Sequence, residues 1–260
     1  MLRAFYSSAT GMRAQELLID NTANNLANVN TTGFKRSHIS FADLLYDTQR
    51  SPGAASAGGL ISPIGLQIGN GTRAVGTTKV NTQGVTTEDN IDSHIAIEGD
   101  GLFKVVLPNG ETRYTRDGTF NLNEQRQLVN SDGFLLEPNI TIPQEALTYS
   151  ISTSGVVSYS LNGTTTNAGQ IQLVRFPNTA GLEAAGNNLF KATQASGQEL
   201  VGNPLDIGYG SLRQGFTEGS NVEVVAELVS LITAQRAYEI NSRAIRAGDE
   251  MLSNTSQLIR

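Results

Sequence analysis

The densest set of groups able to do chemistry is a run of acids at Glu88, Asp89, Asp92, Glu98 and Asp100, with His94 among them. Paired carboxylates can protonate a glycosidic oxygen and activate water, and carboxylate oxygens in a looped run can ligate calcium. This run lacks EF-hand spacing and the EF-hand glycine. It lies in hydrophilic sequence beside Gly99 and Gly101, the composition of solvated turns. His38 and His94 are the two histidines and there is no cysteine, so neither a Ser/His or Cys/His nucleophile nor a zinc site has material. Gly208-Tyr209-Gly210 and Gly69-Asn70-Gly71 do not extend to a dinucleotide fingerprint, and no lysine follows a glycine as a Walker A loop requires. The expectation is a chain that is not an enzyme and has no catalytic, cofactor-binding or metal site.

What the sequence does position is two helices. Residues 220–260 contain no proline and one glycine, Gly248, and every seventh residue from Val224 is large and apolar: Leu231, Tyr238, Ile245, Leu252 and Ile259 follow. That period predicts a helix with a seam, and at about 1.5 Å per residue it makes a rod of roughly 57 Å. Leu228 starts a second row that completes the a/d spacing, but its heptad mates Gln235, Ser242, Asp249 and Ser256 are polar. Ser220 and Glu223 have capping-box spacing. Phe5, Met12, Ile19 and Leu26 are also seven apart, in a first stretch with one glycine and no proline. Two terminal segments that share a period fit either an α-hairpin closing one core or packing between chains. Glu16 and Asp249 within the seams are residues that a sealed two-helix core would not want.

The first helix ends in Asn- and Thr-rich sequence, poor material for a helix interior. Asn21, Asn25 and Asn28 nevertheless fall on one face. They read either as a solvated, fraying end or as a buried amide ladder setting register, with Gly33 left-handed at the cap and Phe34 packing back.

The middle is different material. All seven prolines and all but three of the 27 glycines lie between Pro52 and Gly219. Phe103, Val105 and Leu107 alternate up to Asn109-Gly110, and Val157, Tyr159 and Leu161 alternate into Asn162-Gly163, both hairpin signals. Short strands are predicted near residues 171–176 and 205–212 as well. The expected fold class is α+β: a discontinuous domain of long N- and C-terminal coiled-coil-type helices with an inserted, mostly antiparallel β domain. Its boundaries fall at 1–35 with 218–260, a connecting extended segment at 36–75, and the β domain at 76–217. Residues 41–71 read as a long loop. The net charge of −6 and the lack of a basic face argue against nucleic acid. Polar residues after Arg3 interrupt any signal-peptide core, and the uncharged runs are too rich in Gly, Pro and Ser for a lipid-spanning helix.

Three stretches carry a resemblance. Residues 2–36, ending ANNLANVNTTGFKR, are similar to the N-terminal signature of the axial proteins of the bacterial flagellum, the rod and hook family. Residues 220–245, with Gln235-Arg236-Ala237-Tyr238 followed by Asn241, resemble that family's C-terminal signature, and residues 99–120 its β-domain pattern. The resemblance implies a structural subunit that self-assembles as a helical polymer: a hollow rod transmitting torque from motor to hook. Its implied location is the periplasm-spanning basal body, reached through the flagellar export apparatus without a cleaved signal peptide. Implied partners are other copies of the chain, proximal rod and hook proteins and surrounding ring proteins. The implied assembly residues are Phe5, Met12, Ile19, Leu26, Leu231, Tyr238, Ile245, Leu252 and Ile259 for packing, with Asn24, Asn25, Asn28 and Gln235 for polar register. An added segment about residues 51–68 resembles that of distal rod members and is lacking in hook members, with Pro52 and Pro63 stiffening the backbone and Leu60, Ile61, Ile64, Leu66 and Ile68 as apolar contacts. A proximal rod subunit, a peptidoglycan hydrolase using the acidic run, and a β-rich surface adhesin are the alternatives.

Overall fold

The proline-free terminal runs form the two helices of a computed structural model that describes residues 2–53, 63–146, 148–161 and 164–258. The chain divides into two units, one of residues 1–26, 37–78 and 223–260, the other of residues 27–36 and 79–222. Among the described residues it is α+β, with a helix near each end and antiparallel β structure between them.

The first unit holds α1 (Leu2–Ala27), β1 (Ser37–Asp43), β2 (Tyr46–Arg50), β3 (Leu66–Gly69), β4 (Thr72–Lys79, its last residue in the second unit) and α2 (Val224–Leu258). The segment read as a long loop is therefore strand-built where it is described. Strand β1 pairs with β4, and β2 pairs antiparallel with β3, Asp47 opposite Ile68 and Thr48 opposite Gln67. The partners are separated by glycine-rich sequence, so each strand is too short and too polar to announce itself. The predicted capping box does not form. Helix α2 starts at Val224, and the Ser220 hydroxyl instead accepts from Val222 N–H at 3.3 Å in the turn before it.

The second unit is mainly β, with one short 3-10 turn at Thr179–Gly181. Its strands are β5 (Thr86–Glu88), β6 (Ile95–Glu98), β7 (Phe103–Val106), β8 (Thr112–Thr115), β9 (Asn121–Leu122), β10 (Leu128–Val129) and β11 (Leu135–Glu137). Then come β12 (Thr148–Ile151), β13 (Val156–Leu161), β14 (Thr164–Gln170), β15 (Leu173–Arg175) and β16 (Glu183–Gly186). The last four are β17 (Leu189–Lys191), β18 (Leu200–Gly202), β19 (Ser211–Gln214) and β20 (Phe216–Glu218). The main sheet runs β16-β17-β8-β7-β11-β10-β9. The predicted hairpin at Asn109-Gly110 is β7–β8, with Val106 opposite Thr112, and the later one is β13–β14, whose Asn162-Gly163 turn lies outside the described residues. Of the strand predicted near 205–212, only the end is found, in β19.

Period-two alternation places Phe103 and Val105 on the buried face, where they meet Ile95, Ile97, Phe120, Leu128 and Val157. The Phe103 and Phe120 rings meet edge to face at 5.1 Å, the favoured geometry for their quadrupoles.

Candidate assembly surface

The acidic run does not form a site. Asp89 bonds the His94 ring and accepts from Ile91 N–H, closing one turn, while Asp100 lies 3.5 Å from Arg175 on another. No group of three or more His, Cys, Asp or Glu among the described residues is placed to hold a metal ion. No described helix is long and apolar enough to cross a membrane.

The two helices pair antiparallel, and three contacts fix their register. A Cβ built on Gly248 would lie 2.6 Å from Phe5 Cζ, and one built on Gly11 would lie 3.1 Å from Asn241 Nδ2. Further along, the Asn25 amide donates to Glu227 Oε2 at 3.3 Å. The two helical glycines thus sit where side chains of the facing helix come in, and a larger residue at either would have to displace the facing Asn241 or Phe5 side chain. The second row of the α2 seam is Glu227, Ala234, Asn241 and Gly248, one position before the row read from the sequence. This corrects the assignment of Leu228, which is 41% exposed, and Gln235 and Asp249 are exposed beside it. Small or polar side chains fill the row because side chains of the facing helix, Phe5 at Gly248 and Asn25 at Glu227, reach into it, and a hydrophobicity pattern passes over them.

Asn25 decides between the two readings of the amide face. It is 1% exposed, and it donates to Ser37 O at 3.0 Å while accepting from Ser37 N–H at 2.9 Å. Asn21 donates to the same carbonyl at 2.9 Å. One amide therefore ties the end of α1 to the start of β1 and the first turn of α2, and its buried groups are bonded as burial demands. Asn24 is exposed. Asn28 caps a turn by accepting from the Thr31 hydroxyl.

The packing residues fall into two groups. Phe5, Met12, Ile19, Leu26, Leu231 and Ile245 are half-buried, whereas Tyr238 and Leu252 are exposed; Ile259 lies outside the described residues. Beyond the seam, Val225, Leu228, Val229 and Ile232 add an exposed apolar stripe on α2. In the β2–β3 region, Pro52, Pro63, Ile64, Leu66 and Ile68 are exposed, and Leu60 and Ile61 lie outside the described residues. A single pair of helices leaves much of its apolar surface in water.

Sequence reading missed the buried charges of the second unit. The two Glu218 carboxylate oxygens accept from Lys35 Nζ at 2.6 Å and from Arg116 Nε, and all three side chains are at most 6% exposed. The remaining Arg116 donors reach the carbonyls of Ile97 at 2.9 Å, Gly99 at 2.7 Å and Gly101 at 2.6 Å. The glycines of the 99–101 turn let three carbonyls converge on one guanidinium. Burial pushes the Lys35 ammonium below the usual lysine range. The Glu218 hydrogen bond and charge oppose that, while Arg116 adds to it. No spacing in the sequence singled them out, since Lys35 adjoins Arg36, Arg116 adjoins Asp117, and Glu218 stands far from both. Gly33 is left-handed as expected, φ +66, but α1 has already ended at Ala27, and the Gly33 N–H goes to Glu218 O at 2.8 Å.

Comparison with known proteins agrees with this construction. Three family models match: "Flagella basal body rod protein" over residues 5–35, "Flagellar hook protein FlgE/F/G D1 domain" over 96–159 and "Flagellar basal body rod FlgEFG protein C-terminal" over 213–258. The chain is 46% identical to the flagellar basal-body rod protein FlgG of Borreliella burgdorferi, covering 100% of both chains. It is 46% identical to the FlgG of Caulobacter vibrioides over 99% of each, and 38% identical to that of Bacillus subtilis over 100% of each. The models match the same α1, β-unit and α2 stretches that carry the resemblance, and the relatives run the full length of the chain. The chain belongs to the flagellar basal-body rod family, as a structural subunit and not an enzyme.

Proposed function

We propose that the chain polymerises with copies of itself into the distal part of the flagellar rod, a hollow shaft that carries torque from motor to hook. The observation that carries this reading is the unfinished helix pair: half-buried seams and an exposed stripe at Val225, Leu228, Val229 and Ile232. Residues 1–35 and 218–260 form the axial core, packing in coiled-coil fashion with the same helices of neighbouring subunits. Residues 76–217 form an outer layer facing the surrounding rings, and 36–75 the rod-specific segment. Contacts of this kind are heterologous and do not close, which generates a helical filament. Proximal rod and hook proteins continue the axis at its two ends, and the flagellar export apparatus delivers the subunit to the periplasm-spanning site.

The test places a carboxylate in the stripe, at Ile232, and on the exposed seam residue Tyr238. Ile232→Asp and Tyr238→Asp change exposed positions, so the subunit should fold and be exported normally. Burying an unpaired carboxylate costs several kcal/mol at each repeated contact, so no rod should extend. Electron microscopy of basal bodies reads the outcome. Rods of normal length in both variants would show that this face does not meet a neighbour.

A further inference from the structure

The chain passes between the two units at 26/27, 36/37, 78/79 and 222/223. Three of the four corresponding ends of the β unit are laced together inside it. Arg36 N–H donates to Asn221 Oδ1 at 2.7 Å, Val80 N–H to Arg36 O at 2.8 Å, and Asn221 Nδ2 to Val80 O at 2.8 Å. Lys35 Nζ donates to Thr82 O at 2.8 Å as well as to Glu218, and Gly84 N–H donates to Glu218 Oε1 at 2.9 Å. From Glu218 the path continues through Arg116 to the three carbonyls of the 97–101 turn, next to the core strands β6 and β7.

We propose that the Glu218 carboxylate is a load anchor, the point at which force entering along residues 27–36 and 79–84 and leaving along 218–222 is passed to the main sheet. This rests on the reading of the chain as a torque-bearing subunit and adds the place where torque crosses into the β unit. Equilibrium stability is a poor reason for such a cluster. Desolvating a buried ion pair offsets most of its attraction, and apolar replacements of similar volume are often as stable. Separation under load is different. Drawing residues 27–36 away takes the Lys35 ammonium from the buried Glu218 carboxylate, which keeps only Arg116 and Gly84, and the bonds at Gly33, Lys35 and Arg36 must break together. The cluster therefore resists displacement along one direction more than it stabilises the fold in general.

The chain has no cysteine, so introduced pairs place pulling handles uniquely. In single-molecule force spectroscopy of the full chain, Asn30→Cys with Asp132→Cys loads the unit through 27–36, whereas Asn109→Cys with Asp132→Cys loads it between two surface turns. Wild type should rupture at higher force through 30/132 than through 109/132. Lys35→Met, which leaves Arg116 and Glu218 paired, should lose that high-force event while keeping its 109/132 rupture force and its thermal midpoint, and Lys35→Arg should retain it. Equal weakening along both axes, no change along either, a wild type without the directional difference, or a Lys35→Met chain that does not fold would each overturn the proposal. Because single unpolymerised chains are pulled, the result is independent of whether the stripe variants build rods.

Discussion

At Glu199 the carboxylate accepts from the Lys104 ammonium at 3.0 Å and from the Tyr114 hydroxyl at 2.6 Å. Partial burial works to raise its pKa. The Tyr114 and Lys104 hydrogen bonds and the Lys104 charge together outweigh that and hold it below the ordinary glutamate value of 4.5. A carboxyl depressed by folding adds stability that is present above its unfolded pKa and is lost as pH falls through the lower folded value. The group is about one-third exposed, so solvent screening limits its worth to roughly 1 kcal/mol. Glu199→Gln should lower stability by about that amount at neutral pH, with the gap to wild type closing as denaturation is repeated below pH ~4. A gap that persists unchanged into acid would assign the loss to packing and not to charge. Nothing in the sequence pointed to this cluster, because Lys104, Tyr114 and Glu199 are brought together by strand pairing across 95 residues. Asn25 was legible as a position on the right face, but its partners Ser37 and Glu227 were not.

At the scale of elements, one row of each helix was written in the chain and the other was hidden. Phe5, Met12, Ile19 and Leu26 on α1, and Leu231 and Ile245 on α2, announce themselves by size. Glu227, Ala234, Asn241 and Gly248 do not, since side chains that reach in from the facing helix select for smallness and for buried bonds. Gly248 makes the point testable. Glycine inside a helix costs about 1 kcal/mol relative to alanine, so Gly248→Ala should stabilise an isolated helix. Here the added methyl meets the Phe5 ring, and overpacking of this kind costs about 1–3 kcal/mol. Gly248→Ala should lower the melting midpoint followed by helical circular dichroism, and in a Phe5→Leu background the same change should raise it. A rise in both backgrounds would mean that the ring does not occupy the groove. Strands β1 to β4 were missed for a related reason: a two-strand pair of mixed polar residues has no alternation strong enough to be seen without its partner.

For the molecule as a whole, the division into helical ends and a β-rich middle followed from where proline and glycine are allowed. The hairpins followed from Asn-Gly turns between alternating runs. The return of 37–78 to the helical unit did not, because sequence shows material and not address. The β2–β3 pair is the part of that segment whose removal can be predicted. Its apolar side chains at Tyr46, Ile64, Leu66 and Ile68 are exposed, and a strand pair laid on a neighbouring subunit would brace a tube that sliding helices alone leave free to bend. Deleting residues 47–68 joins Tyr46 to Gly69, which already lie opposite each other. Polymers should still form, since the helical seams are kept, but they should be curved, as measured from electron micrographs. Polymers as straight as wild type would reduce the segment to a connection.

The division of the chain also sets a clock. Glu227 meets Asn25 from 202 positions further along the sequence, whereas the β unit is complete once Val222 has been delivered. Any process that presents the chain from its first residue onward, whether synthesis or threading through a channel, lets the β unit close while α1 still lacks its mate. The helical surface proposed to accept a neighbour is then finished last. On that proposal a subunit becomes able to extend a polymer only when nearly all of it has arrived, and a stalled, half-delivered chain has no completed end on which the next copy could seat.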